Sequence, residues 1–112
     1  MRSNQLGKAI QSLEKAITLA PAALDARLYL AQSYLGSRQA GKARTHANAI
    51  LKTQPELPQT LAIMTLAELM DNNSAAALTN YRKIQARSPQ IARSVKAMAV
   101  SQKLVGAQAL PD

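Results

Sequence analysis

One histidine, six carboxylates and fourteen Lys and Arg are the side chains in this 112-residue sequence that carry charge or take it up near neutral pH. Acid–base or nucleophilic catalysis needs a reactive group, a base and an orienting partner within reach of one another, and a metal needs several converging ligands. His46 lies between Thr45 and Ala47 with no acidic residue within a helical turn, so it reads as a solvated or half-buried histidine. Asp25, Glu68 and Asp71 come nearest to a carboxylate group. Glu68 and Asp71, three apart, share one helix face but have no third ligand at metal-binding spacing, and both read as solvated surface. The chain has no Cys, which removes disulfides and thiolate metal sites. No glycine-rich phosphate loop is present. The sequence therefore reads as a non-enzyme, with no metal and no cofactor expected.

Charge is the remaining chemistry. A formal net charge of +8 would suit phosphate backbones or anionic surfaces if it were concentrated. The cations Lys8, Lys15, Lys42, Arg44, Lys52, Arg82, Lys83 and Arg87 are instead spread over three separate segments, without a long basic run or interleaved aromatics. They read as the solvated faces of helices, which disfavours nucleic acid as the partner. Binding of an anionic polymer, a nucleic acid or a membrane surface through these residues is the alternative reading of function.

The elements that carry these side chains show a period. Pro21, Pro55 and Pro89 stand 34 residues apart, each after a segment of amphipathic helical pattern. Proline expels the residue before it from helical geometry, so each marks a helix end. The pattern predicts six helices, at about 5–20, 23–36, 39–53, 59–71, 74–88 and 90–105, with a frayed tail from 107 to 112. Ser37 and Asn73 read as N-cap or turn residues, and Gly36 and Gly41 flank the turn between the second and third helices. Apolar residues make up 47% of the chain, yet the only aromatics are Tyr29, Tyr34 and Tyr81, so packing rests on aliphatic side chains and 22 alanines that let helices approach closely. The length suits one domain with one core. No apolar run reaches the roughly 18 residues of a membrane span, and Lys8, Gln11 and Glu14 interrupt the first helix where a signal peptide would be apolar.

Small and bulkier residues recur before each proline: Ala9 and Leu13, Ala43 and Ala47, Ala77 and Tyr81. Leu30, Ala31 and Tyr34 precede the second set, and Leu66, Ala67 and Met70 the third. On these residues the chain resembles the tetratricopeptide repeat, a helix-turn-helix unit with a Leu-Gly-x2-Tyr, Ala-x3-Phe, Pro pattern. It departs from that pattern in having Arg27 and Ile63 where an aromatic often opens the unit, and Ala31 and Ala67 in place of Gly. The alternatives are an antiparallel bundle that closes on itself and, as a poorer match, the pentatricopeptide arrays that bind RNA. The third unit sits two residues late against the prolines, which predicts two extra residues in Glu56-Leu57-Pro58 and a turn two residues shorter at 71–73.

The resemblance implies an all-α, right-handed superhelical solenoid of antiparallel helix pairs within a single domain spanning 1–112. Residues 4–21 would be the second helix of a truncated repeat, 22–55 and 56–89 two repeats, and 90–106 a capping helix. It implies a protein-protein interaction scaffold whose concave groove holds a peptide or protein. Carried onto this sequence, the groove positions are Asp25, Leu28, Gln32 and Leu35, then Leu61, Met64, Glu68 and Asp71, then Arg93, Lys96, Val100 and Lys103. These would make a groove apolar at one end, acidic in the middle and basic at the other. The Lys and Asn pair that clamps a chaperone's terminal carboxylates is not matched by Leu28 with Gln32 or by Met64 with Glu68. The array also resembles parts of large bacterial envelope-associated proteins, including exosortase-linked lipoproteins. It begins within a unit, which implies an excerpt of a longer array. Leu6, Ile10, Leu13, Ile17 and Leu19 are then expected to form an uncovered strip through which copies self-associate.

Overall fold

A computed structural model describes residues 2–20, 23–104 and 106–111. Among them are six α-helices and no strand: α1 (Arg2–Leu19), α2 (Leu24–Gly36), α3 (Ala40–Leu51), α4 (Pro58–Met70), α5 (Ser74–Arg87) and α6 (Pro89–Ser101), followed by one 3-10 turn at Ala107–Ala109. Pro58 and Pro89 occupy the first helical position of α4 and α6, where a missing N–H costs nothing. Pro21 lies outside the described residues.

Consecutive helices pack as antiparallel neighbours, and α4 is central, touching α2, α3, α5 and α6. That position explains its composition. From Thr60 to Leu69 every residue except Ala62 is buried, so α4 is apolar on almost all sides. The hydroxyl of its buried Thr65 is satisfied one turn back, donating to the Leu61 carbonyl over 2.9 Å. Ala43, Ala47 and Ala77 are fully shielded, which is where small side chains let helices close on one another. Tyr81 holds the place that Ala47 has 34 residues earlier and is equally shielded, so the volume trimmed from one unit is restored in the next.

The repeat is written most clearly in the backbone. Arg38, Asn72 and Lys103 have φ of 65°, 60° and 55°. Each is the left-handed residue that ends a helix, donating to the carbonyl three residues back (Leu35, Leu69, Val100), while the next N–H reaches five back (Tyr34, Glu68, Ala99). This paired bond is the Schellman closure of a helix C-terminus. Arg38 and Asn72 are 34 residues apart in sequence. The turns after α2 and α4, residues 37–39 and 71–73, are equal in length. The shorter turn expected at 71–73 is thereby corrected: the two units share one register without offset. Irregularity falls in the joints between units, six residues between α3 and α4 but only Ser88 between α5 and α6.

Two further expectations are revised. Leu6, Ile10, Leu13 and Ile17 follow one helical face, and α1 turns that face to α2: Ile10 joins the core, Leu13 and Ile17 pack against it, and Leu6 approaches Gly36. The uncovered strip reduces to Leu19, which is 86% exposed. The tail packs instead of fraying, because Ala107 and Leu110 are buried and the Tyr81 hydroxyl donates to the Pro111 carbonyl over 2.8 Å. Gly106 permits the approach with a φ of 87°, where a Cβ would stand 2.7 Å from the Ser74 hydroxyl.

Candidate functional site

The three helices that end in the left-handed turn, α2, α4 and α6, enclose a cleft of about 390 Å³. Its floor is α4, through Gln59, Ala62, Ile63 and Leu66; one wall is α2, through Gln32, Leu35 and Gly36. The other wall is α6, through Ile91, Ser94, Val95 and Met98, with Gln102 at its end. Ala62 and the nearly half-exposed Met98 give solvent its view of the apolar floor and wall. The polar lining groups are neutral amides and one hydroxyl. Among the described residues no charged side chain lines the cleft, in a chain of net charge +8.

Of the twelve positions carried over from the repeat pattern, Gln32 and Leu35 line this cleft. Leu28 is half-buried against the core and Asp25 is exposed at the start of α2. Leu61, Met64 and Glu68 lie in the interior instead, and Asp71 caps α4, where it pairs with Arg44 of α3 at 2.6 Å. The residues found on the floor stand at the unshifted spacing: Gln59, Ala62 and Leu66 are 34 residues after Asp25, Leu28 and Gln32. That uninterrupted period was the signal for them. Arg93, Lys96 and Val100 share a different face of α6, lining a shallow depression away from the cleft, and Lys103 adjoins it.

Two clusters of polar and charged groups lie outside the cleft lining. Glu68 is buried and accepts from Asn80 of α5 over 2.6 Å. Burial pushes its carboxyl above the ordinary range, opposed by the Asn80 bond and the Arg44 charge. A second cluster joins the first three helices. The Tyr34 hydroxyl donates to Glu14 over 2.6 Å, and the Tyr34 and His46 rings stack with centroids 5.6 Å apart. An Arg27 nitrogen lies 3.2 Å from His46 Nδ1, while Lys42 Nζ stands 5.5 Å from the Tyr34 ring centre. Burial, followed by the Glu14 bond and charge, raises the Tyr34 hydroxyl to about 12. Burial and the Arg27 charge lower the His46 pKa, partly countered by Glu14.

His46 is held by a cation, and no nucleophile is bonded to it; among the described residues no three His, Cys, Asp or Glu converge as metal ligands. Of the scattered cations, Arg44 pairs with Asp71, Arg87 with Glu56, and Lys42 stands over Tyr34. No described helix is long and apolar enough to cross a membrane.

Comparison with curated proteins gave no match, and neither did comparison with solved structures. A family model described as tetratricopeptide repeat matches residues 1–67, from α1 through most of α4. Repeats of this kind generally serve as non-enzymatic scaffolds for protein-protein interaction. With helix pairs stacked in one register and closed by the same turn, and with the match covering more than half its length, the chain belongs to the tetratricopeptide-repeat family.

Proposed function

We propose that the cleft between α2, α4 and α6 holds an uncharged, aliphatic segment of a partner protein. The observation that carries this reading is that none of the described residues lining the cleft is charged, in so basic a chain. Leu35, Ile63, Leu66, Ile91, Val95 and Met98 offer an aliphatic surface, so burying matching side chains is the favourable term. Gln32, Gln59, Ser94 and Gln102 border it with neutral groups that can bond a peptide backbone. A charged anchor would lose its hydration here and find no counter-charge.

Selection of a random peptide library on the 112-residue chain tests this. Selected peptides should carry clustered aliphatic residues without charge at the anchors. Their affinity should hold between about 0.05 and 0.5 M salt, since no ion pair is screened. Met98→Gln and Ile91→Asn should weaken them. Peptides indifferent to both substitutions, or lost in salt, would remove the cleft as the binding site.

A further inference from the structure

Leu19, the last residue of α1, is 86% exposed, more than any other large apolar side chain among the described residues. One exposed leucine is ordinary surface; its setting is what distinguishes this one. It stands where α1 gives way to α2, beside the exposed Ala20, whose carbonyl accepts the Ala23 N–H over 3.0 Å. It therefore sits at a corner and not on the flank of a helix. Between Lys15 and Asp25 the sequence has no charged residue.

An uncharged aliphatic corner is the kind of guest that the cleft between α2, α4 and α6 is lined to receive. Leu19 belongs to α1, which contributes nothing to the described lining, so corner and cleft are separate surfaces of one molecule. Packed in α1, Leu19 cannot turn into the cleft of its own chain. Val100, 51% exposed, suits the cleft less well, because Lys96 and Lys103 lie within one turn on either side of it and would bring two cations to an uncharged wall. Leu19 has only Lys15 one turn back, with a stem long enough to leave its ammonium in water, and neutral residues follow it.

We propose that a second copy of the chain docks its α1–α2 corner, led by Leu19 and Ala20, into the cleft. The docking rests on the cleft seating an uncharged aliphatic guest, as proposed above. Two different surfaces meet, so the contact is heterologous: each molecule offers one corner and one cleft, and copies add head to tail. The corner is small beside the area that a permanent dimer buries, so the association is weak and concentration-dependent. Its salt response has a definite sign. Two copies of formal charge +8 repel each other, and salt screens that repulsion while leaving the aliphatic contact intact, so association tightens as salt rises.

Sedimentation equilibrium of the 112-residue chain, from about 0.01 to 1 mM, is the test. The average mass should rise with concentration, and should do so at lower concentration in about 0.5 M than in about 0.05 M salt. Leu19→Gln, which keeps the net charge, should weaken self-association about tenfold or more, and so should Met98→Gln on the cleft wall. Mixed one to one, these two variants should form a pair that grows no further, because the corner of one meets the intact cleft of the other. Circular dichroism should show both exposed substitutions retaining helicity. Self-docking is overturned if the parent stays monomeric throughout, if Leu19→Gln associates as the parent does, or if the mixed variants fail to pair. Peptides selected on the cleft should bind Leu19→Gln as they bind the parent. Peptide binding without self-association would remove the second copy and keep the cleft; self-association and peptide binding that both ignore Met98→Gln would remove the cleft itself.

Discussion

The Tyr34 hydroxyl on α2 donates to Glu14 on α1 over 2.6 Å, a side-chain hydrogen bond that ties the two helices together. Glu14 is otherwise exposed, so removing the bond leaves it free to hydrate. Tyr34→Phe should therefore cost about 1.5 kcal/mol in urea unfolding, the lower end for a bond to a charged acceptor. Glu14→Gln should cost less, and the double variant should lose less than the two single losses together. Additive losses would show that the bond contributes nothing to holding α1.

The pKa of His46 is lowered in the folded chain, so protonation favours the unfolded one. Above the ordinary histidine value of about 6.5 the ring is neutral in both states and stability is full. Below it the unfolded chain takes up the proton first, and stability falls until the folded pKa is passed. Protonation also removes the acceptor facing Arg27 and sets a third cation beside Arg27 and Lys42, opposed by Glu14. Glu68, raised in the fold, acts with the opposite sign at lower pH. Comparing the parent with His46→Gln isolates the histidine: between about pH 7.5 and 5.5 the parent should lose more of its urea midpoint. Parallel curves would contradict this.

Arg38 and Lys103 hold left-handed backbone that L side chains adopt at a cost. Arg38→Gly and Lys103→Gly should each stabilise the fold by about 0.5 to 1 kcal/mol after the entropy of the unfolded glycine is counted. Asn72→Gly should gain less, because asparagine tolerates this region. Thermal unfolding of the three variants gives the ranking.

Ala77, fully shielded at the fourth position of α5, leaves no room for a longer side chain. Ala77→Leu should overpack the contact and lower stability by about 1 to 3 kcal/mol. An unchanged denaturation midpoint would mean that the neighbouring helices yield freely.

The helices were legible because prolines and apolar periodicity punctuate the chain. The register of α4 was not, and Leu66-Ala67-Met70 shows why: it has the look of Leu30-Ala31-Tyr34 two residues late. The positions equivalent to that first set are Met64, Thr65 and Glu68, whose types resemble it poorly. No glycine marks the left-handed turns, since Arg38, Asn72 and Lys103 occupy them, so the feature that fixes the register left little trace in residue type. The cleft followed from that register, and its floor was misplaced with it. Leu110 was not legible for another reason: one leucine in a short tail carries no periodicity, and the tail it belongs to is tied down by the distant Tyr81 through the Pro111 carbonyl.

With a single residue, Ser88, joining α5 to α6, the two helices meet as a stiff elbow. The Ser88 N–H is committed to Ile84 and its carbonyl to Ala92, so the joint has no slack. The six residues between α3 and α4 form a looser coupling. Tilting α6 would drag α5 with it, so any change in the width of the cleft would fall to α1–α3 moving against α4–α6. Any give between the walls of the cleft therefore lies on the side of α2, and α4–α6 form the stiffer half.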